Sequence, residues 1–147
     1  MTLWEETAQI ITLKIQRREI SAQEVTQSAL GRLASVNPSI NAVVNRFDQD
    51  ALHEAQQIDA KLDAGKTVGI LAGVPVTVKV NVDQVGRATT NGVRLQKDQI
   101  AKEDSTVVAN LRRAGAIIIG HTNTPAFSLR WFTRNSLHGH TKNPLNS

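Results

Sequence analysis

Apolar and polar residues alternate most strictly between positions 74 and 83. The even positions from 74 to 82 are all valine, and the odd positions from 77 are polar: Thr77, Lys79, Asn81 and Asp83. Because successive side chains point to opposite faces of a strand, this alternation predicts one β-strand with a valine face and a polar face. The branched Cβ of valine packs well on a pleated surface, which supports the same assignment.

Helical periodicity predicts three helices before this strand and one after it. Ser21 and Glu24 form the pattern of a capping box, so the second helix is expected to begin at Ala22. Asn37-Pro38 is expected to end it, because the residue before a proline disfavours helical geometry. The four expected segments are 3–18, 22–37, the stretch between Asp48 and Gly65, and the stretch between Asp104 or Ser105 and Gly115.

An apolar run at 116–119 follows the fourth helix and is too short and too β-branched to be a helix itself. Strand, helix and strand in this order predict a βαβ unit, with 76–82 and 116–119 parallel in one sheet. A short strand is expected at 41–47, a long polar loop at 85–102 and a tail without periodicity at 130–147.

These elements predict an α/β fold in which N-terminal helices pack on a mixed or parallel sheet. The helical region is expected in residues 1–65, and the strand of Lys79, the βαβ unit and the irregular tail in residues 70–147. A chain of 147 residues has the size of one ordinary domain, so 1–147 is treated as one domain or part of one.

The environment of Lys79 depends on what covers the polar face of its strand. A sheet with one solvated face leaves Lys79 in water, whereas βαβ topology usually covers both faces with helices. Burying an unpaired charge is costly, so a covered Lys79 needs a partner. It either pairs with Asp83 as a structural ion pair, or it is desolvated and serves as a base. The sequence does not decide among these three environments.

Composition narrows the possible functions. The net charge is +4, but the basic residues are scattered, and 3% aromatic residues with no tyrosine disfavour a base-stacking surface, so no nucleic-acid partner is expected. No cysteine is present, which excludes disulfides and thiolate ligands. His138 and His140 have no acidic neighbours in sequence, so neither a metal nor a cofactor is expected. No signal peptide or membrane-length apolar run is found, so the expected location is the cytoplasm.

Several segments, in order along the chain, resemble the amidase signature family of serine amidohydrolases. The segment from Gly73 to Asp83 resembles the strand that carries the catalytic lysine of that family. Four further segments match its later motifs: Thr89-Thr90-Asn91-Gly92, the helix and strand at 104–116, Gly120-His121-Thr122-Asn123-Thr124-Pro125-Ala126-Phe127, and Gly139-His140-Thr141-Lys142-Asn143-Pro144. Any one motif is weak, but their shared order makes the resemblance specific.

The resemblance implies amide hydrolysis by a Ser–cis-Ser–Lys triad. Lys79 would be the triad lysine, which takes a proton from the cis-serine, and the cis-serine in turn activates the nucleophilic serine. The residues expected to support the site around Lys79 are Thr77, Asn81, Asp83 and Asn123. The chain departs from the family pattern at Val80, Val93, His121 and Ala126, where the family usually has Asp, Ser, Lys and Glu.

The two serines of such a triad are not recognisable in this sequence. None of the serines at 21, 28, 35, 39, 105, 128, 136 and 147 lies in a Gly-Gly-Ser-Ser-Gly-Gly context. The chain is therefore expected to be the N-terminal part of an amidase domain, inactive alone, that meets a small amide substrate only together with the missing part. Exposed apolar surface is expected to promote self-association. The alternatives are a non-catalytic module or subunit, and part of the A-type subunit of a tRNA-dependent amidotransferase.

Overall fold

The computed structural model describes residues 2–145 and contains both helices and strands. The α-helices are α1 (Ala8–Gln16), α2 (Ala22–Ile40), α3 (Asp48–Asp63) and α4 (Thr106–Arg113). The strands are β1 (Val43–Arg46), β2 (Pro75–Lys79), β3 (Ile117–Thr122), β4 (Arg134–Asn135) and β5 (Gly139–His140). Single turns of 3₁₀ helix lie at Leu3–Glu5, Arg94–Gln96 and Ala126–Ser128. Within the described residues, no helix combines the length and the apolar character needed to cross a membrane.

Strands β2 and β3 are parallel neighbours in a sheet with the order β1-β3-β2. The N–H of Ile117 donates to the Val74 carbonyl at 2.9 Å where the pair begins, and the N–H of Val80 donates to the Thr122 carbonyl at 3.0 Å where it ends. Both bonds advance in the same chain direction, as a parallel pair requires. With α4 between the two strands, this is the expected βαβ arrangement in an α/β fold.

Strand β1 makes the sheet mixed, because it pairs antiparallel with β3. Arg46 lies opposite Gly120, and Val43 lies opposite Thr122. A Cβ atom at position 120 would come within 2.5 Å of the Asn45 carbonyl oxygen and 2.7 Å of Val43 Cγ1. Glycine therefore permits the close approach of the two strands at this point.

The described chain divides into two compact units made of non-contiguous segments. Unit one runs to Ser35 and includes Phe47–Val76 and Asn110–Ile119. Its interior is apolar, with a core of Ile11, Ile15, Ala22, Val25, Leu30, Ala51, Ala55, Ile58, Ala72, Val74, Ile117 and Ile119. Unit two comprises Val36–Arg46, Thr77–Ala109 and the chain from Gly120. Its interior mixes valines with polar side chains: Val43, Val78, Val80, Val108, Gln84, Thr89, Thr90, His121, Asn123 and Thr124.

Several expected element boundaries were wrong, and β3 continues to Thr122, three residues past the end expected at 119. The single helix expected at 3–18 is a 3₁₀ turn followed by α1, because Thr7 is extended and its hydroxyl caps α1 by accepting from the Ile10 N–H. Helix α2 continues through Pro38 to Ile40 and ends where Asn41 adopts a φ of 53°. Pro38 removes one hydrogen bond near the end of α2, but only Ser39 and Ile40 follow it, so little of the helix is affected.

The end of β2 was also predicted wrongly. The alternating pattern extends to position 82, but β2 ends at Lys79 because the Val82 N–H turns back to the Lys79 carbonyl at 2.9 Å. Asn81 and Asp83 therefore follow the strand instead of lying on its polar face. The tail contains the short β4–β5 pair, which periodicity did not predict, and its last two residues lie outside the described residues.

Local capping patterns were more reliable. Ser21 and Glu24 form the expected capping box, with the Glu24 N–H donating to Ser21 Oγ at 3.1 Å and the Ser21 N–H donating to Glu24 Oε2 at 2.8 Å. Asp59 of α3 adds a second cap, since its carboxylate accepts from the N–H groups of Ala22 at 2.7 Å and Gln23 at 3.1 Å. One side chain of α3 thus satisfies two donors at the start of α2.

Replacing Asp59 by alanine is expected to lower the free energy of unfolding by about 1–3 kcal/mol, because two N–H groups at a helix start lose their acceptor. Urea denaturation measures the change. The matched control is Asp63→Ala on the same helix, which removes an exposed ion pair with Arg18 and is expected to change stability by less than about 1 kcal/mol. Equal effects of the two substitutions would contradict this assignment.

Candidate active site

Lys79 lies at the carboxyl end of β2, half-buried, with a hydroxyl as its partner. Its Nζ donates to Ser128 Oγ at 2.9 Å. The ion pair with Asp83 is not formed: the Asp83 carboxylate accepts from Thr89 Oγ1 at 2.5 Å instead. Of the three environments considered for this lysine, the structure has a partly covered amine held by an uncharged side chain.

The parallel pairing of β2 and β3 explains why a residue 49 positions away reaches this lysine. Both strands end at the same edge of the sheet, so Lys79 and the segment after Thr122 leave it side by side. The chain from Asn123 to Ser128 then folds back within unit two. Sequence reasoning missed Ser128 and Thr124 as residues of the site, because no local pattern distinguishes Ser128 from the other serines.

The turn that delivers Ser128 has a strained backbone. Phe127 and Ser128 have φ values of 51° and 60°, in the left-handed region that residues other than glycine seldom adopt. Each such residue costs on the order of 1–3 kcal/mol and persists only when its surroundings hold it. The Phe127 N–H donates to the Asn91 carbonyl and the Ser128 N–H to the Pro125 carbonyl, both at 2.9 Å. These bonds hold Ser128 Oγ within hydrogen-bond distance of the Lys79 amine.

The structure brings Asn81 to the site and leaves Thr77 out of it. Asn81 Nδ2 donates to Ser128 Oγ at 3.3 Å, so Asn81 and Lys79 share one acceptor. The other amide atom, Asn81 Oδ1, is buried without a hydrogen-bond partner among residues 2–145. The side chain of Thr77 is exposed on β2 and forms no hydrogen bond with Lys79 or Ser128.

Asp83 and Asn123 contact the loops around the site and not Lys79 itself. Besides accepting from Thr89, Asp83 uses its backbone carbonyl to accept from the Ser105 N–H at 2.9 Å. Asn123 is buried; its Oδ1 accepts from Asn135 Nδ2 at 2.8 Å, and its Nδ2 donates to Thr141 Oγ1 at 3.0 Å. Both residues therefore connect separate motifs of the sequence within unit two.

His121 is almost fully buried, with 1% of its surface exposed. Its Nε2 lies 3.0 Å from Gln84 Oε1 and its Nδ1 lies 3.5 Å from Asn45 Nδ2. A neutral ring protonated at Nε2 satisfies both neighbours, since Gln84 Oε1 accepts and Asn45 Nδ2 donates. Burial, reinforced by the charges of Arg87 and His138, lowers the pKa of His121 from 6.5 to about 4. An uncharged imidazole ring therefore lies at the position where the family that the sequence resembles usually has a lysine.

Metal-ligating side chains do not cluster in the described part of the chain. No three His, Cys, Asp or Glu residues between positions 2 and 145 are arranged to hold a metal ion. His138 Nε2 is instead 2.9 Å from Thr90 Oγ1, and burial lowers the pKa of His138. The site places the Lys79 amine within hydrogen-bond distance of one hydroxyl, that of Ser128, and such a contact is suited to proton transfer.

Comparison with known proteins gives consistent matches over nearly the whole chain. The family model described as Amidase matches residues 24–147. An indoleacetamide hydrolase of Bradyrhizobium diazoefficiens is 47% identical over 142 residues, which are 97% of this chain and 27% of that protein. The A-type subunit of a glutamyl-tRNA(Gln) amidotransferase from Acidothermus cellulolyticus is 40% identical over 138 residues, covering 94% of this chain and 27% of that protein.

A solved structure shares the fold. The crystal structure of a bacterial aryl acylamidase belonging to the amidase signature enzymes superposes with a TM-score of 0.91 at 30% sequence identity. The match covers 97% of this chain and 30% of that one. The chain thus spans under a third of the length of the proteins it matches.

Lowering the pH is expected to destabilise the protein through His121. The unfolded chain binds a proton at this residue below pH 6.5, whereas the folded chain does not until about pH 4. The stabilising contribution is therefore complete above pH 6.5 and is lost as the pH falls toward 4, amounting to roughly 3 kcal/mol at most.

Urea denaturation of the native chain and of His121→Gln, measured above pH 6.5 and near pH 4, tests this expectation. The variant cannot take up this proton, so its stability is expected to vary less with pH. Parallel pH profiles for the two proteins would show that His121 contributes nothing to the acid sensitivity.

Proposed function

Because the chain belongs to the amidase family, we propose that it is the N-terminal part of an amide-bond hydrolase in which Lys79 is the lysine of a Ser–cis-Ser–Lys triad. The observation that supports this role most directly is the position of Lys79 at the carboxyl end of β2 with a hydroxyl at 2.9 Å from its amine. A lysine that exchanges a proton with a serine needs a hydroxyl within hydrogen-bond distance and an environment partly shielded from water.

In the proposed reaction, the neutral amine of Lys79 takes a proton from the cis-serine. The cis-serine then takes the proton of the nucleophilic serine, whose oxygen attacks the carbonyl carbon of the amide. Return of the proton to the amide nitrogen lets the amine leave, and water releases the acyl group from the serine in a second step. Asn81 supports the site through the shared contact with Ser128.

We also propose that the 147-residue chain does not hydrolyse amides alone. The eight serines of the sequence include none in the glycine-rich context that the family uses for its two catalytic serines. The serine that does reach Lys79, Ser128, is followed by Leu129-Arg130-Trp131, a sequence without the glycines whose N–H groups would stabilise an oxyanion.

The relative with 47% identity suggests indoleacetamide, or another small primary amide, as the first substrate to test. An A-type subunit of a tRNA-dependent amidotransferase is the second candidate, because several such subunits are 35–40% identical to this chain. A non-catalytic subunit that keeps the fold is the third. Co-purification of a second polypeptide that carries the serine-rich segment would favour a divided enzyme over a non-catalytic module.

The test of catalysis adds a segment that is expected to carry the two serines of the triad. The chain is joined to the downstream remainder of the Bradyrhizobium indoleacetamide hydrolase, and ammonia release from indoleacetamide is measured. We expect turnover by the joined protein, none by the 147-residue chain, and a loss of at least about 100-fold with Lys79→Ala, as removal of a proton-transfer group typically causes.

Lys97→Ala is the matched control, because Lys97 lies in the same unit and its ion pair, with Asp98 at 3.8 Å, is exposed. Its turnover is expected to equal that of the unchanged joined protein. Turnover by the 147-residue chain alone would refute its proposed inactivity, and full turnover by Lys79→Ala would refute the role of Lys79.

Self-association is proposed through an exposed apolar strip, residues 127–132. Within these six positions the large apolar side chains Phe127, Leu129, Trp131 and Phe132 are all exposed, and Trp131 is fully so. Exposed apolar groups concentrated in this way commonly mark an interaction surface, whereas single exposed apolar residues are common on any protein.

Light scattering is expected to give a mass that rises above that of one chain as the concentration increases. Trp131→Ser is expected to shift this rise to higher concentration, because it removes the most exposed aromatic ring of the strip. Leu95→Ser serves as the control, since Leu95 is also highly exposed but lies apart from the strip in sequence. A monomeric mass at the highest concentrations would refute self-association.

A further inference from the structure

The hydroxyl of Ser128 is the centre of a small hydrogen-bond network within unit two. Its Oγ lies 2.9 Å from Lys79 Nζ, 3.3 Å from Asn81 Nδ2 and 3.0 Å from Thr124 Oγ1. Thr124 is completely buried, and its Oγ1 donates to the Pro125 carbonyl at 3.1 Å. Ser128 thus connects the amine of Lys79 to a buried residue.

The direction of each hydrogen bond follows from the groups involved. The ammonium of Lys79 and the amide nitrogen of Asn81 have only donors to offer, so Ser128 Oγ accepts from both. A hydroxyl oxygen has two lone pairs, and these two donors occupy both lone pairs of Ser128 Oγ, so in its contact with Thr124 Oγ1 Ser128 is assigned as the donor, and the Thr124 hydroxyl donates to the Pro125 carbonyl. The Ser128 proton therefore points at Thr124 and away from Lys79.

In this arrangement Lys79 donates to Ser128, so the contact is not that of a base removing the Ser128 proton. The same arrangement leaves the lone pair of a neutral Lys79 amine free. A neutral amine has two N–H groups and one lone pair, and an acceptor at Ser128 engages an N–H while leaving the lone pair available to another hydroxyl.

We propose that Ser128 is a positioning residue for Lys79, and that Thr124 keeps the Ser128 hydroxyl turned so that it never occupies the lysine lone pair. The strained backbone at Phe127 and Ser128, held by the Asn91 and Pro125 carbonyls, places the hydroxyl for this purpose. This inference rests on the proposed function of Lys79 as a base, but it concerns the state of the amine and is tested without turnover.

The test measures how fast Lys79 is modified by reductive methylation with limiting formaldehyde, using peptide mass spectrometry and the exposed Lys97 of the same protein as reference. Ser128→Ala is expected to raise the Lys79 rate about three- to tenfold, because the amine loses the hydrogen bond that holds it. Thr124→Val is expected to lower the rate, because the freed Ser128 hydroxyl turns and donates to the lone pair that reacts with the reagent.

Two further variants separate positioning from a general loosening of the fold. Thr124→Ser keeps the acceptor hydroxyl and is expected to restore the native rate. Ser136→Ala removes an exposed serine elsewhere in the same unit and is expected to leave the rate unchanged. Local unfolding would raise the rate of Lys79 methylation in both Ser128→Ala and Thr124→Val. A higher rate in the first variant and a lower rate in the second therefore support the proposal.

An unchanged rate in Ser128→Ala, or acceleration in Thr124→Val, would overturn the positioning role. The outcome is independent of the hydrolysis test. If the variants give the expected methylation rates but the joined protein does not release ammonia, the proposed function is refuted and the positioning role of Ser128 is still supported. If ammonia release depends on Lys79 while labelling is insensitive to Ser128, the function stands and the positioning role fails.

Discussion

The hydrogen bond from the Val80 N–H to the Thr122 carbonyl closes the parallel pair of β2 and β3, and the candidate site depends on it. Parallel strands end at one edge of their sheet, so the residues that follow them are neighbours regardless of their separation in sequence. Lys79 terminates one strand, and the segment that carries Thr124 and Ser128 follows the other. An antiparallel pair would have placed these groups at opposite ends.

Around this edge, unit two is built from buried polar side chains that satisfy one another. The Asp83 carboxylate accepts a hydrogen bond from the Thr89 hydroxyl. The Asn123 side chain is hydrogen-bonded to Asn135 and Thr141. The neutral ring of His121 lies between the side chains of Gln84 and Asn45. Such a network is stabilising only when its members are paired, since an unpaired buried polar group is costly. These hydrogen bonds connect segments of unit two that lie outside its helices and its longer strands. The buried Asn81 Oδ1, beside Ser128, is the atom of the site that this network does not pair.

The two units are stabilised by different interactions, and the groups of the candidate site lie in unit two. The core of unit one is aliphatic, so burial of apolar surface accounts for its cohesion. Unit two carries the amine, the hydroxyls and the strained turn at Phe127 and Ser128. Strain of this kind needs a rigid surrounding structure, and hydrogen bonds to the Asn91 and Pro125 carbonyls supply part of it.

The sequence by itself determined the features that depend on near neighbours in the chain. The capping box at Ser21 and the glycines after α3 and α4 follow from local backbone geometry, with Gly65 and Gly115 both in the left-handed region. The alternation around Lys79 predicted a strand and a βαβ unit, and the order of motifs indicated the family.

Only the tertiary structure decided where β2 ends and which residues meet Lys79. The alternating pattern continues past Lys79, but a turn interrupts the strand once its last bond to β3 is made. Ser128 is 49 residues from Lys79, and no periodicity connects positions so far apart. Their contact arises because two parallel strands end together and a strained turn reverses the chain, which are properties of long-range pairing and not of local sequence.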